Sequence, residues 1–422
     1  MLILNILFVW VFYNCNIARL MLNLLRKSYS GLSRETWILA LVTLVNRSGM
    51  MVLPFLTIYL TSARNFTVAQ AGIISAFFGL GSMIGSYGGG WLSDRFGYFA
   101  VQLVSLVLGG LSCVCLAWLT SFEALCIGML ITSSLLDLLR PALSAAISSF
   151  AKSENITRSF SLIRMAINLG AGIGPAAAGI LAGYSFQLIF VGDGITSIAA
   201  GIVLYFYFHK KIKAVRFTKK GIIKAPSPLR NKSYILFLIL CMFYAIIFFQ
   251  LFCTLPLYYD QVHHLLKKQT GYLIALNGLI VFLFEMMLVF KLENSVHPKK
   301  IIIVGVILSG IGLVMLNFFH SGYVLILSMI ILSFSEIFAM PFMMTVAVSQ
   351  ADSSNRGIFT GIYSTAWSAA FVLAPILGTN IVTHFGFNVL WWAMGILSII
   401  TLCGMWLVVP KIYRIIEPPM PA

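Results

Sequence analysis

Hydrophobic residues make up 60% of the 422 and charged residues only 9%. A soluble domain carries roughly a quarter of its residues as charges, so a water-soluble globular fold is excluded and an integral membrane protein is predicted. The formal net charge of +16 sits in loops rather than in one patch, which argues for a topology signal and against nucleic-acid binding.

Residues 1–34 are read as an N-terminal cytoplasmic or interfacial segment. Within it Leu2 to Tyr13 is apolar but only about a dozen residues long, short for a span. Three readings stay open for residues 1–30: an interfacial helix, an uncleaved signal-like segment, or translation assigned too far upstream. The last, with Met21 as the working start, is preferred. Twelve membrane helices are predicted next, over 37–60, 68–92, 99–120, 123–150, 160–183 and 187–208, then 234–258, 270–291, 300–319, 322–349, 356–383 and 386–410. Nine Lys/Arg and no acid lie between His209 and Ser233, so 209–233 is the linker between two six-helix bundles, 35–208 and 234–410. Residues 411–422 form a cytoplasmic tail. The seven cysteines all fall in apolar segments without metal-ligand spacing and read as packing residues.

Assigning both termini, the linker and alternate loops to the cytoplasm puts 22 Lys/Arg inside. Three lie outside (Arg64, Lys267, Lys268) and three in helices (Arg47, Arg140, Arg164). This is the positive-inside pattern of a multi-pass protein. Short loops and the lack of targeting signals point to a bacterial inner (plasma) membrane.

The two halves repeat one another. Pro54 and Pro256 are 202 positions apart, Pro141 and Pro341 are 200 apart, and Pro175 and Pro375 are 200 apart. Proline removes a helix hydrogen bond and bends the helix, so helices 1, 4 and 5 share bend positions with helices 7, 10 and 11. Three matches in order predict a duplicated architecture of the kind common in transporters. Asp137 and Glu336 also stand 199 apart.

After the second predicted helix the chain reads Gly88-Gly89-Gly90-Trp91-Leu92-Ser93-Asp94-Arg95-Phe96-Gly97. Glycines let helices approach closely, and an acid at a helix end can pair with bases or with the positive end of a neighbouring helix. The run resembles the signature loop of the major facilitator superfamily, but Tyr98 and Phe99 replace its following basic pair. The resemblance covers the chain from about residue 35. It implies an all-α membrane fold of two pseudo-symmetric six-helix bundles, with Gly90, Asp94, Arg95 and Gly97 in conformational gating. A tight turn with a capped helix is the alternative. The fifth helix, Gly170-Ala171-Gly172-Ile173-Gly174-Pro175-Ala176-Ala177-Ala178-Gly179, resembles the glycine-proline motif of the drug:proton antiporter branch, with Ala178 replacing one glycine. That resemblance adds Gly170, Gly174 and Pro175 to the gating set, unless the motif serves only helix packing.

Scattered positions resemble proton-coupled oligopeptide transporters instead: Arg47, Arg140-Pro141, Ile167-Asn168, and Glu336 with Pro341. The diagnostic acidic pair of their first helix is missing, since Thr43-Leu44-Val45-Asn46-Arg47 holds no glutamate.

A charge in hydrocarbon costs about 2.5–3.5 kcal/mol on insertion scales, so it faces a wet cavity or a partner. Counted along the helices, Arg47, Asp137, Arg140 and Glu336 fall near mid-depth, Glu285 nearer the cytoplasm, and Asp193 and Arg164 near helix ends. Arg47, Arg140 and Glu336 are the candidate substrate contacts, because arginine forks and an opposing carboxylate suit a zwitterion or an amphiphilic ion. Tyr59 and Trp367 are candidate stacking partners. Asp137 and Arg140, three apart on one helix, are equally explained by mutual neutralisation. All six histidines lie in loops or near helix ends, so proton coupling falls to carboxylates: Glu336 first, then Glu285 and Asp137. Glu285 has the alternative of a packing charge near the inner face.

These features predict a secondary active transporter moving a small organic solute by alternating access, driven by H+, with efflux favoured. The second reading is proton-coupled import of an amino acid or short peptide. A membrane enzyme or sensor is the rival of another class, and no polar cluster or output domain supports it. No Walker-type loop occurs, which argues against ATP-driven pumping. No cofactor and no metal are expected, and the partners are the solute, the lipid bilayer and H+, with the chain acting as a monomer.

Overall fold

A computed structural model describes residues 26–52, 56, 59–60, 64–216, 228–318, 321–352 and 355–413. The polypeptide there is almost wholly helical. The elements are α1 (Arg34–Ser48), α2 (Val68–Phe96), α3 (Tyr98–Leu116), α4 (Phe122–Asp137), α5 (Leu139–Phe150), α6 (Ile156–Ala182) and α7 (Gln187–Arg216). After the linker come α8 (Lys232–Cys253), α9 (Leu255–Gln261), α10 (Lys267–Leu292), α11 (Pro298–Val314), α12 (Gly322–Ser349) and α13 (Arg356–Ile412).

Several starts are written in the sequence as N-caps, which give acceptors to otherwise unpaired N–H groups. Ser33 accepts from Thr36 N, Ser121 from Ala124 N and Asn231 from Tyr234 N, while Thr67 and Gln70 form a reciprocal capping box. Among the described residues nine helical runs are long and apolar enough to span a membrane. The last of these, Arg356–Ile412, holds two predicted helices joined at Gly386, whose φ of 83° turns the chain. With that division the described residues hold ten such helices, the 27-residue α6 has the length of an eleventh, and α1 is 15 residues long.

The prolines act unequally. Pro141 lies four residues after Asp137 and cannot bond its carbonyl, and the predicted helix 123–150 divides into α4 and α5 at Leu138. Pro256 sits at the start of α9, where the predicted helix 234–258 divides at Thr254. Pro341 and Pro375 stay inside continuous helices. Pro54 and the side chain of Pro175 lie outside the described residues.

Helices α1–α7 form one bundle and α8–α13 the other. The main crossings between bundles are α13 on α2 and α5, and α10 and α12 on α6. The apolar cores show how the bundles meet. One buried cluster joins Leu39, Phe99, Ile147 and Phe160 of the first bundle to Phe237, Met343, Phe359 and Val409 of the second. All of these lie toward the end of the molecule that bears Asp94. Toward the opposite end the cores are separate: Tyr59, Leu125 and Phe190 in the first bundle, Tyr258, Leu325 and Trp391 in the second. The bundles are therefore sealed together at the Asp94 face and part toward the other.

Candidate functional site

Three charged side chains from three helices meet at the seam. Arg164 of α6 places Nε 2.9 Å from Glu285 Oε1 of α10 and Nη2 2.7 Å from Glu336 Oε1 of α12. Its Nη1 lies 2.6 Å from Met340 Sδ. Arg164 is 20% exposed, Glu285 1% and Glu336 5%, so this is a largely dehydrated cluster. Helical spacing assembles it: Ser333, Glu336 and Met340 follow an i, i+3, i+7 pattern along one face of α12. Asn277, two turns before Glu285 on α10, donates to Glu336 Oε2 at 3.2 Å and to Ser333 Oγ at 3.0 Å. Tyr244 and Ser335 share a hydrogen bond of 3.1 Å beside the cluster.

An aromatic wall adjoins it. Trp367 of α13 has ring centroids of Tyr363, Phe249, Phe248 and Tyr244 within 6.1–6.4 Å. Tyr59 is placed elsewhere, 3% exposed in the first-bundle core, 4.9 Å from Phe190, with its hydroxyl accepting from Arg64 Nε at 2.6 Å.

The remaining candidate charges stay within the first bundle. Arg140 Nε lies 2.7 Å from Asp137 Oδ1, the neutralised i, i+3 pair that the spacing allowed. Arg47 directs Nη1 to Met50 Sδ at 3.4 Å, and its buried Nε has no hydrogen-bond partner among the described residues. The sequence places Arg164 near a helix end and shows no partner for Glu336 on its own helix. In the structure Arg164 lies eight residues into α6, at the depth of Glu336, and pairs with it. A signal for this existed in the sequence: the lysines between Glu285 and Glu336, Lys291, Lys299 and Lys300, all fall in the last or first turn of a helix, so a counter-charge at the depth of Glu336 had to come from the first half.

Nearer the Asp94 face a second ion pair crosses the seam. Arg158 of α6 is paired with Glu293, which follows α10, and the two side chains are 8% and 2% exposed. Arg158 N also donates to Glu293 Oε2 at 3.2 Å, and its guanidinium lies 4.8 Å from the Phe290 ring centroid. Arg158 Nη1 donates to the carbonyls of Lys27, Ser28 and Ser30, at 3.4, 3.4 and 3.2 Å, which ties down the segment before α1. Burial pushes the Glu293 carboxyl up to about 7, with Arg158 opposing the shift. Sequence reasoning missed this pair because both residues fall just outside the predicted helices 160–183 and 270–291, where charges are ordinary.

The glycine-rich loop forms the third contact. Asp94 accepts from the N–H groups of Gly357 and Ile358, both at 2.7 Å, at the amino end of α13. A carboxylate there meets unpaired donors and the positive helix end together. The α2–α13 crossing is close enough to need glycine: a Cβ on Gly90 would overlap Gly357 O and lie 2.7 Å from Gly361 Cα. Gly97, at φ +90°, ends α2. Arg95 stacks 5.3 Å from the Trp91 ring and 5.5 Å from the Phe96 ring. Gly170 and Gly174 face α1 within the first bundle, where a Cβ on Gly170 would lie 2.5 Å from Arg47 Cβ and one on Gly174 2.9 Å from Met50 O.

The chain matches the family model described as the Major Facilitator Superfamily over residues 37–294 and 291–421. It is 21% identical over 373 residues to the uncharacterized MFS-type transporter YttB of Bacillus subtilis (strain 168), covering 87% of this chain and 94% of that protein. Over 182 residues it is 27% identical to the quinolone resistance protein NorA of Staphylococcus aureus (strain Mu50), 43% of this chain and 46% of NorA. Among solved structures, the proton:xylose symporter XylE superposes with a TM-score of 0.73 at 17% identity, covering 89% of this chain and 95% of XylE. The human organic anion transporter MFSD10 superposes at 0.70 and 15% identity, covering 88% of this chain and 100% of that one. Sequence profile, fold and the sealed seam agree: this chain belongs to the Major Facilitator Superfamily and is a membrane transporter.

Proposed function

We propose that the protein is a proton-coupled exporter of small organic solutes, with cationic or amphiphilic compounds as its substrate class. The charge balance at the seam carries the reading. One guanidinium faces two glutamates in a buried cluster, so the three groups hold one negative charge in excess when both acids are ionised. A buried uncompensated charge is costly, and a proton or a cationic solute restores the balance. The two compete for one charge, which is the requirement for antiport. The Trp367 wall beside the cluster supplies stacking surface for an apolar or aromatic cation. The names of NorA and of the multidrug efflux PmrA homolog of Lactococcus lactis (26% identical over 174 residues) support the same direction.

In this reading the Asp94 face is cytoplasmic, as the distribution of Lys and Arg argues. The conformation described then opens outward, and units 35–208 and 234–410 rock about the Arg164 cluster while the basic linker spans them. Asp94, Gly90 and the Arg158–Glu293 pair close the inner side. Import of a zwitterion has weaker support, because Arg140 is committed to Asp137 and Glu336 to Arg164.

The test is purified protein in liposomes with a trapped pH dye, challenged with cationic drugs, organic acids, amino acids and peptides. Proton movement evoked by cations, opposite in direction to the solute and lost in Glu336→Gln, supports the proposal. Solute flux indifferent to an imposed pH gradient overturns it.

A further inference from the structure

The first spanning helix is broken at membrane depth, and a carboxylate outside the Arg164 cluster holds the break. α1 ends at Ser48, Met50 and Met51 leave the helix, and helical geometry resumes at Val52. Non-helical backbone at this depth needs other partners for its polar groups. Asp193 of α7, 9% exposed, contributes to them: Oδ2 accepts from Met51 N and Val52 N, both at 3.4 Å, while Met51 N also donates to Gly49 O at 2.6 Å. It acts as an N-cap given from another helix.

The break is also clamped from two sides. A Cβ on Gly49 would overlap Thr196 Oγ1 of α7, and Gly170 and Gly174 of α6 press on the backbone of residues 47–50. Asn46 Nδ2 donates to Ser197 Oγ at 3.0 Å, fixing the end of α1 to α7. Among the described residues no cation is in ion-pair contact with Asp193. The ionisable groups facing it are Arg47 from α1 and the Cys113 thiol from α3.

We propose that Asp193 is a second proton-binding carboxylate of the transport cycle, whose protonation releases the break in the first spanning helix. This rests on the reading of the chain as a proton-coupled carrier and adds a site to it. Ionised, Asp193 accepts at Oδ2 from both amides. A proton arriving from the open face adds to Oδ2 and turns that acceptor into a donor. Met51 N–H then leaves Asp193 and Gly49 O for Arg47 O, and Val52 N–H leaves Asp193 for Ser48 O, their regular α-helical acceptors. The segment thus has two arrangements, capped and resealed, and one proton selects between them. Arg47 moves with its turn. α6, which grips residues 47–50 through Gly170, carries Arg164 six residues earlier, so one helix links the break to the charge cluster.

The test follows amide hydrogen exchange at Met51 and Val52 in the detergent-solubilised full chain between pH 5 and 9, corrected for intrinsic exchange. Alongside it, proton-to-solute stoichiometry is measured in liposomes for wild type, Asp193→Asn and Glu336→Gln. Asparagine keeps an acceptor oxygen but does not titrate. The expected results are a sigmoidal change in protection of these two amides in wild type, its loss in Asp193→Asn, and fewer protons moved per solute in that variant. Protection that stays flat with pH in the wild type overturns the proposal even if Asp193→Asn fails to fold. So does an Asp193→Asn variant with wild-type stoichiometry and pH profile, which would make Asp193 a structural cap only. If Glu336→Gln keeps full proton coupling while the amides still titrate, the cluster reading fails and the Asp193 site stands.

Discussion

Arg164 and Glu336 meet across the seam between the two bundles, with Nη2 and Oε1 2.7 Å apart, while the same guanidinium holds Glu285 at 2.9 Å. One residue of the first half thus neutralises carboxylates on two helices of the second. Any movement that parts the bundles at this level breaks two ion pairs at once.

Removing the arginine leaves two buried carboxylates without a counter-charge. Arg164→Ala is expected to cost about 3–5 kcal/mol, the range for breaking a buried ion pair from one side. Arg164→Lys restores only part of it, because an ammonium lacks the planar fork that meets two carboxylates. Thermal unfolding in detergent at pH 7.5 reads both, and an alanine variant as stable as wild type would remove the cluster from the account of stability.

The excess charge makes neutralisation non-additive. Glu285→Gln alone leaves a one-to-one pair and is expected to change stability by under about 1 kcal/mol, as is Glu336→Gln. The double variant strands Arg164 and is expected to lose about 3–5 kcal/mol. A double-mutant cycle by denaturation measures the coupling. Simple addition of the two single effects would mean that the groups do not act as one unit.

The α2–α13 crossing tests the seal directly. Gly90→Ala forces two backbones apart, whereas Gly88→Ala meets nothing nearer than a side-chain carbon 3.9 Å away. The first variant is expected to expose the Asp94 face and the second to leave it closed. Labelling of a single cysteine introduced at Ser93, which is 4% exposed, reports the difference. Asp94→Ala is expected to act in the same direction with a loss of about 1 kcal/mol, the size of a helix cap.

The pH response of the Asp94 face follows from Glu293. Its carboxyl is raised to about 7 where it is buried, against 4.5 when exposed. The closed face therefore binds the proton more tightly than the open one. Its contribution to closure is fully present below about 4.5, declines as pH rises and is lost through about 7. Distances between spin labels on α6 and α10 are expected to lengthen between pH 5 and 8 in wild type and to be insensitive in Glu293→Gln. Closure that strengthens with rising pH would reverse the sign and give the lead to attraction by Arg158.

Particular residues mark how far the sequence was legible. Asp94 and Gly90 were readable because a loop motif and a close crossing are local requirements, and the structure places them against the amino end of α13. Asp137 and Arg140 were readable as a self-neutralising pair from a spacing of three. Arg164 was not, since its partners lie 121 and 172 positions away and its helix begins at Ile156, four residues before the predicted start. Asp193 was seen only as a charge near a helix end, because the break it caps arises from packing against Thr196 and the α6 glycines.

By itself the sequence determined that the chain lives in a membrane, as about twelve helices in two related halves, because hydropathy, basic loops and recurring prolines are properties of short segments. Tertiary structure alone decided which charges meet, which face is sealed and where the first helix breaks. Those depend on side chains more than a hundred residues apart reaching one depth in a low-dielectric interior, where an unpaired charge must find whatever partner the packing brings.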